Sequence, residues 1–277
     1  MLAFITILRP LNLLQATLAV ILTTAFLGEL SQTSTLILLI LSVITINGAG
    51  NIINDIYDLE IDSINRPNRP LPSGDMSVSS ARIYMVFLFL TGSCLAWLIS
   101  IQTFVIAGLI ATPILIAYSR WLKRLPLIGN ITVSFMLGLT FLYVGSAFSA
   151  FREPLIMSGL AFGFTLIREL VKDLEDMEGD RQSGARTFPI VWGEQVTIKF
   201  IISLIIGFIV LDMLPAILGN YTSIYLWIVL VGINIPLLIS GFILWKSPGK
   251  KKYASIQLFL KLNIFVGLAG LYLGRPL

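Results

Sequence analysis

Nine apolar stretches run through the chain, and they settle its solvent before any other feature is considered. They can be drawn at 11–28, 36–57, 83–101, 103–119, 130–149, 154–173, 196–214, 222–245 and 254–273. A helix of about 20 apolar residues crosses the roughly 30 Å of hydrocarbon in a bilayer. Inside lipid, backbone N–H and C=O groups must be satisfied within the segment, which makes the helix the spanning form for runs of this length. With 56% hydrophobic and 12% charged residues in a chain of 277, too little polar surface remains for a soluble domain. The expected fold is all-α, a polytopic membrane bundle of about nine transmembrane helices. It is read as one transmembrane domain over 1–277, with a weak internal repeat at about 1–150 and 151–277. Only Gln102 separates the third and fourth stretches, so a tight hairpin is expected there. The first stretch lacks a small-residue cleavage site, and no cleavable leader is expected.

Charge orients the bundle. If the chain starts on the cytoplasmic side, fifteen of its 19 Lys and Arg residues fall on that side, against Arg152 and Arg275 on the other. That is the asymmetry of the positive-inside rule. It predicts a cell-membrane protein with cytoplasmic active-site loops and residue 277 outside. The net charge of +4 is then a topology signal, and no nucleic-acid partner is expected. No histidine is present, which excludes Ser-His-Asp triads and the usual zinc sites. Cys94 stands alone and is expected to be a small buried hydrophobe.

The second stretch ends in "GAGNIINDIYDLEIDSINRPNRPLPSG", residues 48–74, with four carboxylates directly after an apolar run. At about 100° per residue, Asn51, Asn54, Asp55, Asp58 and Asp62 share a sector of roughly 100°, and Glu60 points away. Asn47 extends the stripe one turn into the membrane. On a continuous helix these acids would crowd a C-terminus that the macrodipole already makes negative, so a positive ligand is expected. A matching segment, "RELVKDLEDMEGDRQSGARTFP", closes the sixth stretch. Here Glu169, Asp173, Asp176 and Asp180 share a sector of about 60°. Aspartates one turn apart supply hard oxygens without enclosing an ion, the usual way of holding Mg²⁺ together with waters and a substrate phosphate. Arg66 and Arg69 follow the first stripe, Arg181 and Arg186 the second, and "AYSRWLKRLPLIGN" adds Tyr118, Lys123 and Arg124 on the same side. Such cations suit phosphate oxygens. Pro67, Pro70, Pro72 and Gly74 predict a non-helical segment that could serve as a lid.

The ordered pair "NDIYDLEID" and "DLEDMEGD", with "RPLPSG", "YSRWLKR" and the opening "RPLN", resembles the signature of the UbiA superfamily of intramembrane prenyltransferases over nearly the whole chain. The resemblance implies two Asp-rich motifs facing one central cavity. It implies that Asn54, Asp55, Asp58, Asp62, Asp173, Asp176 and Asp180 bind Mg²⁺, as two ions bridging the diphosphate of a prenyl donor, with the six aspartates catalytic. Arg69, Lys123, Lys172 and Arg181 are the expected contacts to diphosphate or acceptor. Asn12, Asn51, Arg66, Tyr118 and Arg124 complete the expected substrate-binding set.

"INRPNRPLPSG" looks most like the archaeal branch of that superfamily. That branch implies transfer of a geranylgeranyl group from geranylgeranyl diphosphate to the free hydroxyl of geranylgeranylglyceryl phosphate, in ether-lipid synthesis. An acceptor carrying its own phosphate needs a second anion site, and Lys123 and Arg124 stand apart in sequence from both stripes. Prenyltransferases acting on quinone precursors, 4-hydroxybenzoate-like or naphthoate-like, share the motifs and stay open as an alternative. A cation transporter with inverted repeats is a more distant one, which would place its carboxylates near mid-membrane. Membrane lipid surrounds the protein in each reading, and no obligate protein partner is implied.

Overall fold

The computed structural model describes residues 2–182 and 184–275, with the backbone alone at residue 65; the expected placement of residue 277 falls outside that range. Among the described residues every regular element is helical. α1 (Leu2–Thr6) and α2 (Pro10–Phe26) lead to α3 (Thr33–Tyr57), which a turn at Asp58 separates from α4 (Leu59–Asn65). Then follow α5 (Val78–Ile99), α6 (Ile101–Phe104), α7 (Thr112–Arg120), α8 (Ile128–Ala147) and α9 (Arg152–Gln182). The chain continues through α10 (Phe188–Trp192), α11 (Glu194–Ile217), α12 (Ser223–Val229), α13 (Ile235–Lys246) and α14 (Lys250–Leu273).

π-helical turns at Val105–Ala111 and Leu230–Asn234 fuse α6 to α7 and α12 to α13 into single spans, Ile101–Arg120 and Ser223–Lys246. Each π turn runs up to a proline, Pro113 or Pro236, near the start of the next helix. Proline cannot donate to the carbonyl four residues back, and the wider turn absorbs the mismatch. The N–H of Thr112 instead reaches Ala107 O, and that of Ile235 reaches Leu230 O. Eight spans are long and apolar enough to cross a membrane, and the 17-residue α2 is a shorter apolar helix. All nine expected spans are therefore helices, and the chain is an integral membrane protein.

The hairpin between the third and fourth spans turns at Ser100, not Gln102. Ser100 is extended, its hydroxyl accepts from Thr103 N–H, and Thr103 Oγ1 accepts from Ser100 N–H, a reciprocal cap that ends one helix and starts the next. Cys94 also departs from expectation: it is exposed on α5, beside the outward Trp97 and Leu98. In a bilayer an apolar side chain loses nothing on the outside of the bundle.

The chain forms two compact units, residues 1–123 with 139–154, and residues 124–138 with 155–277. In the first, Leu39, Val43, Ile46, Ala49 and Ile52 of α3 pack with Leu88, Phe89 and Ala96 of α5. Gly92 permits the approach: a Cβ there would stand 2.5 Å from Ile46 Cγ1 and 2.6 Å from Thr45 Oγ1. Ser42 Oγ donates to Gly92 O at 2.9 Å across the same crossing. Small residues and hydroxyls are the usual means of joining helices in lipid, where no hydrophobic drive holds them together. In the second unit, Ile198, Ile201 and Ile205 of α11 are buried, as are Leu237 and Leu244 of α13 and Leu260 of α14. Polar links bind these helices: Tyr225 Oη donates to Asp212 O at 2.7 Å, Asn234 Nδ2 to Asp212 Oδ1 at 3.2 Å, and Asn263 Nδ2 to Gly232 O at 2.7 Å.

Candidate active site

The first acid motif lies where α3 gives way to α4. Asp55 is 3% exposed near the end of α3, Asp58 occupies the turn, and Asp62 is 6% exposed in the first turn of α4. The interruption changes the electrostatics expected of one unbroken helix. Asp62 sits near a helix N-terminus, where a negative charge is favoured. The stripe survives because Asp58 N–H still bonds Asn54 O at 2.9 Å and Asp62 N–H bonds Asp58 O at 2.8 Å.

Three cations reach this motif from three different parts of the chain. Arg69 bridges two acids, donating from Nη1 to Asp55 Oδ1 at 3.1 Å and to Asp62 Oδ2. Arg9 Nη2 donates to the same Asp55 Oδ1. Lys123 Nζ, on the 3₁₀ turn Leu122–Arg124, donates to Asp58 Oδ1 at 2.5 Å. The proline-rich segment holds Arg69 in place and is no loose lid. Leu71 and Met76 are buried in the core of the first unit, and Ser73 N–H and Met76 N–H bond the carbonyls of Arg69 and Pro70.

Arg9 entered the sequence reading only as a topology charge and as the first residue of "RPLN", with no site role, yet it is part of the motif. It caps α2 in the left-handed region, φ 54°, ahead of Pro10. Among the other expected residues, Asn51 donates to Leu8 O at 2.8 Å and so ties α3 to the segment that carries Arg9. Asn54 Oδ1 is buried with no hydrogen-bond partner among the described residues. Tyr118 is half-buried, whereas Asn12 and Arg66 are exposed.

The second motif is carried by α9, whose 31 residues make about 46 Å of helix, longer than the hydrocarbon is thick. Asp173 accepts from Asn130 Nδ2 of α8 at 2.9 Å, a partner that no sequence pattern had marked. Asp176, Lys172, Arg181 and, in the preceding turn, Arg124 are exposed, and Asp180 is half-buried. Gly184, φ 70°, follows the helix, and Ala185 N–H returns to Asp180 O at 2.9 Å, a left-handed stop that sets where the acid stripe ends. Deeper in α9, Arg168 Nη1 donates to Glu169 Oε1 at 2.7 Å.

Among the described residues no three acids converge on a point where they alone could hold an ion. In the first motif the acids are drawn onto guanidinium and ammonium groups; along α9 they are separated by whole turns. The donor set fits Mg²⁺, which is usually bound through one or two carboxylates, with water and phosphate oxygens completing the shell. The unpartnered Asn54 Oδ1 adds a further hard oxygen.

Residues 13–264 match the model of the UbiA prenyltransferase family. The chain belongs to this family. It is 36% identical to a digeranylgeranylglyceryl phosphate synthase of Methanobrevibacter smithii, over 98% of this chain and 97% of the relative. It is 37% identical to that of Thermococcus sibiricus, over 98% and 96%. A solved structure of digeranylgeranylglyceryl phosphate synthase in membranes superposes with a TM-score of 0.86 at 29% identity, covering 98% of this chain and 97% of that one. A UbiA homologue from Archaeoglobus fulgidus, solved with GPP and Mg²⁺, shares the fold at a TM-score of 0.73 and 21% identity, covering 97% and 99%. The UbiA chain described here is thus a membrane prenyltransferase, as its two motifs implied.

Proposed function

We propose that this UbiA protein transfers a geranylgeranyl group from geranylgeranyl diphosphate to the free hydroxyl of geranylgeranylglyceryl phosphate. The observation that carries the reading is identity of 36–37% to digeranylgeranylglyceryl phosphate synthases along essentially the whole of both chains. Asn54, Asp55, Asp58 and Asp62, and separately Asp173, Asp176 and Asp180, supply the oxygen ligands for Mg²⁺, taken as two ions. When bound, Mg²⁺ offsets the charge that builds on a departing diphosphate. Arg9, Arg69 and Lys123 hold the acids in place and keep further N–H donors for phosphate oxygens. The apolar spans exclude water, which would otherwise quench the allylic cation left behind.

The motif-bearing loops are cytoplasmic in this reading, on the strength of their basic residues. A π turn with a following proline in both the fourth and eighth spans supports the internal repeat. The test is transfer by purified protein in detergent or nanodiscs, with geranylgeranyl diphosphate and two acceptors in parallel, geranylgeranylglyceryl phosphate and 4-hydroxybenzoate. The expected product is the doubly alkylated glyceryl phosphate, formed only with Mg²⁺. Prenylation of the aromatic acid in its place would move the protein to the quinone-precursor branch.

A further inference from the structure

Arg168 and Glu169 lie midway along α9, inside the apolar stretch 154–173 and about one turn from its acidic end. Adjacent residues on a helix do not face one another, so their ion pair adds nothing to helix stability. Buried pairs of this kind are also weak sources of fold stability. Ionisable groups at such depth are expensive and generally serve a site.

The surroundings point to a polar guest. Glu169 is 8% exposed and Thr165, one turn before it on the same face, is 2% exposed. Thr165 Oγ1 and Arg168 Nε are both buried with no hydrogen-bond partner among the described residues. Arg168 engages Glu169 through Oε1, and Oε2 accepts from none of the described residues. A hydroxyl, a guanidinium N–H and a carboxylate oxygen thus converge on one turn of an intramembrane helix with hydrogen-bonding capacity to spare.

Depth assigns the guest. Glu169 shares the face of Asp173 and Asp176 but lies four residues, about 6 Å, further into the membrane. A diphosphate held at Asp173 and Asp176, as proposed above, sends its prenyl chain inward. The carbon that is attacked, and the hydroxyl that attacks it from the side opposite the leaving group, then lie about one turn below the phosphates. We infer that Glu169 is the catalytic base that takes the proton from the acceptor hydroxyl, with Arg168 holding its carboxylate in position. The bond from C1 of the prenyl group to the diphosphate oxygen breaks first, and the acceptor oxygen then forms a bond to C1 of the allylic cation. The electron pair of the broken bond leaves with diphosphate, and the hydroxyl proton passes to Glu169 Oε2. This rests on the proposed reaction, since an aromatic carbon acceptor needs no hydroxyl base.

The test separates ionisation from transfer in Glu169→Gln. Donor labelled with ¹⁸O at the bridging position reports ionisation by scrambling of the label, in the presence of an acceptor whose attacking hydroxyl is replaced by hydrogen. Scrambling within threefold of wild type, with transfer to the intact acceptor down by at least about 100-fold, is the expected result. Scrambling itself certifies a folded, donor-loaded protein. If Glu169→Gln impairs folding by leaving Arg168 unpaired, Arg168→Gln/Glu169→Gln removes both charges and carries the same expectation, and Glu169→Asp should recover part of the transfer. Transfer by E169Q near the wild-type rate would overturn the base and leave the reaction intact. Parallel loss of scrambling and transfer in a folded variant would likewise overturn it, assigning Glu169 to donor binding. Wild-type prenylation of 4-hydroxybenzoate alone would overturn the proposed reaction, and the base with it.

Discussion

Replacing Arg9 tests whether the opening segment belongs to the acid motif or merely touches it. Asp55 is nearly fully buried and accepts from Arg9 and Arg69 at one oxygen. Removing one partner of a buried ion pair typically costs about 3 to 5 kcal/mol. Two features lower the figure here: Arg9 is 28% exposed, and Asp55 keeps Arg69 at 3.1 Å. A charge-assisted hydrogen bond is worth about 1.5 to 3 kcal/mol, and on that scale Arg9→Gln should lose about 2 kcal/mol.

For a chain of this size 1 kcal/mol corresponds to roughly 2 to 4 °C in Tm, so a fall of about 4 to 8 °C in detergent is expected, followed by intrinsic fluorescence. The single change cannot separate the pair from general damage, so the assay is a cycle with Asp55→Asn. If Arg9 acts through Asp55, the double variant should be more stable than the sum of the two losses predicts, by about 1 to 2 kcal/mol. Arg9→Lys should recover only part of the loss, because Lys retains the charge but not the planar fork. Strict additivity, or a Tm of R9Q within about 1 °C of wild type, would refute the pairing.

Asp58→Asn and Asp176→Asn should each reduce Mg²⁺-dependent turnover on the order of 100-fold or more while the protein still elutes as a folded species, and near-normal rates in either would remove that residue from the metal set. Lys123→Gln should weaken donor binding as well as turnover, since Lys123 is joined to Asp58. Arg124→Gln, which removes an exposed cation, should instead raise the acceptor KM by roughly 10- to 100-fold if it reads the acceptor phosphate; steady-state kinetics with each substrate varied distinguishes the two patterns. Gly92→Ala should destabilise by about 1 to 3 kcal/mol through overpacking against Ile46 and Thr45. Gly159→Ala, with nothing within 4 Å of its Cβ, should be neutral or stabilising by up to about 1 kcal/mol; thermal unfolding of both checks the contrast.

The spans and the acid stripes were legible because each rests on local rules, a minimum apolar length and a period of about 3.6 residues. Asp55, Asp58 and Asp62 were found that way, and so were Asp173, Asp176 and Asp180. What closes on those acids was not legible. Arg9 meets Asp55 from 46 positions away, Lys123 meets Asp58 from 65, and Asn130 meets Asp173 from 43. No periodicity encodes a separation of that size. The one sequence signal for Arg9 was its place in "RPLN", ahead of the Pro10 that starts α2; the Asn51 amide that holds Leu8, and with it the segment carrying Arg9, shows only in the structure. The break at Asp58 was likewise hidden, because both helices keep the same face across it and the residues that interrupt it are neither Gly nor Pro.

The two motifs solve the same electrostatic problem differently. Around Asp55, Asp58 and Asp62 the chain supplies its own counterions, two of them arginines with several N–H donors each, so a buried array of acids is stable before any ligand contributes. Along α9, Asp173 is met by an amide, which satisfies one oxygen without cancelling the charge, and Asp176 stays exposed. An incoming cation meets competition from bound guanidinium groups at the first motif and little at Asp176. If the first motif takes a diphosphate with its metal, as proposed above, the balance there would reverse, because the arginines and Lys123 have N–H donors to offer phosphate oxygens while the acids would be free to hold the metal. In the proposed reaction the cations of the first motif would serve twice, pairing the acids and then meeting the phosphates. Their removal should therefore reach donor binding and fold stability together, whereas substitutions at Asp176 should reach the metal alone.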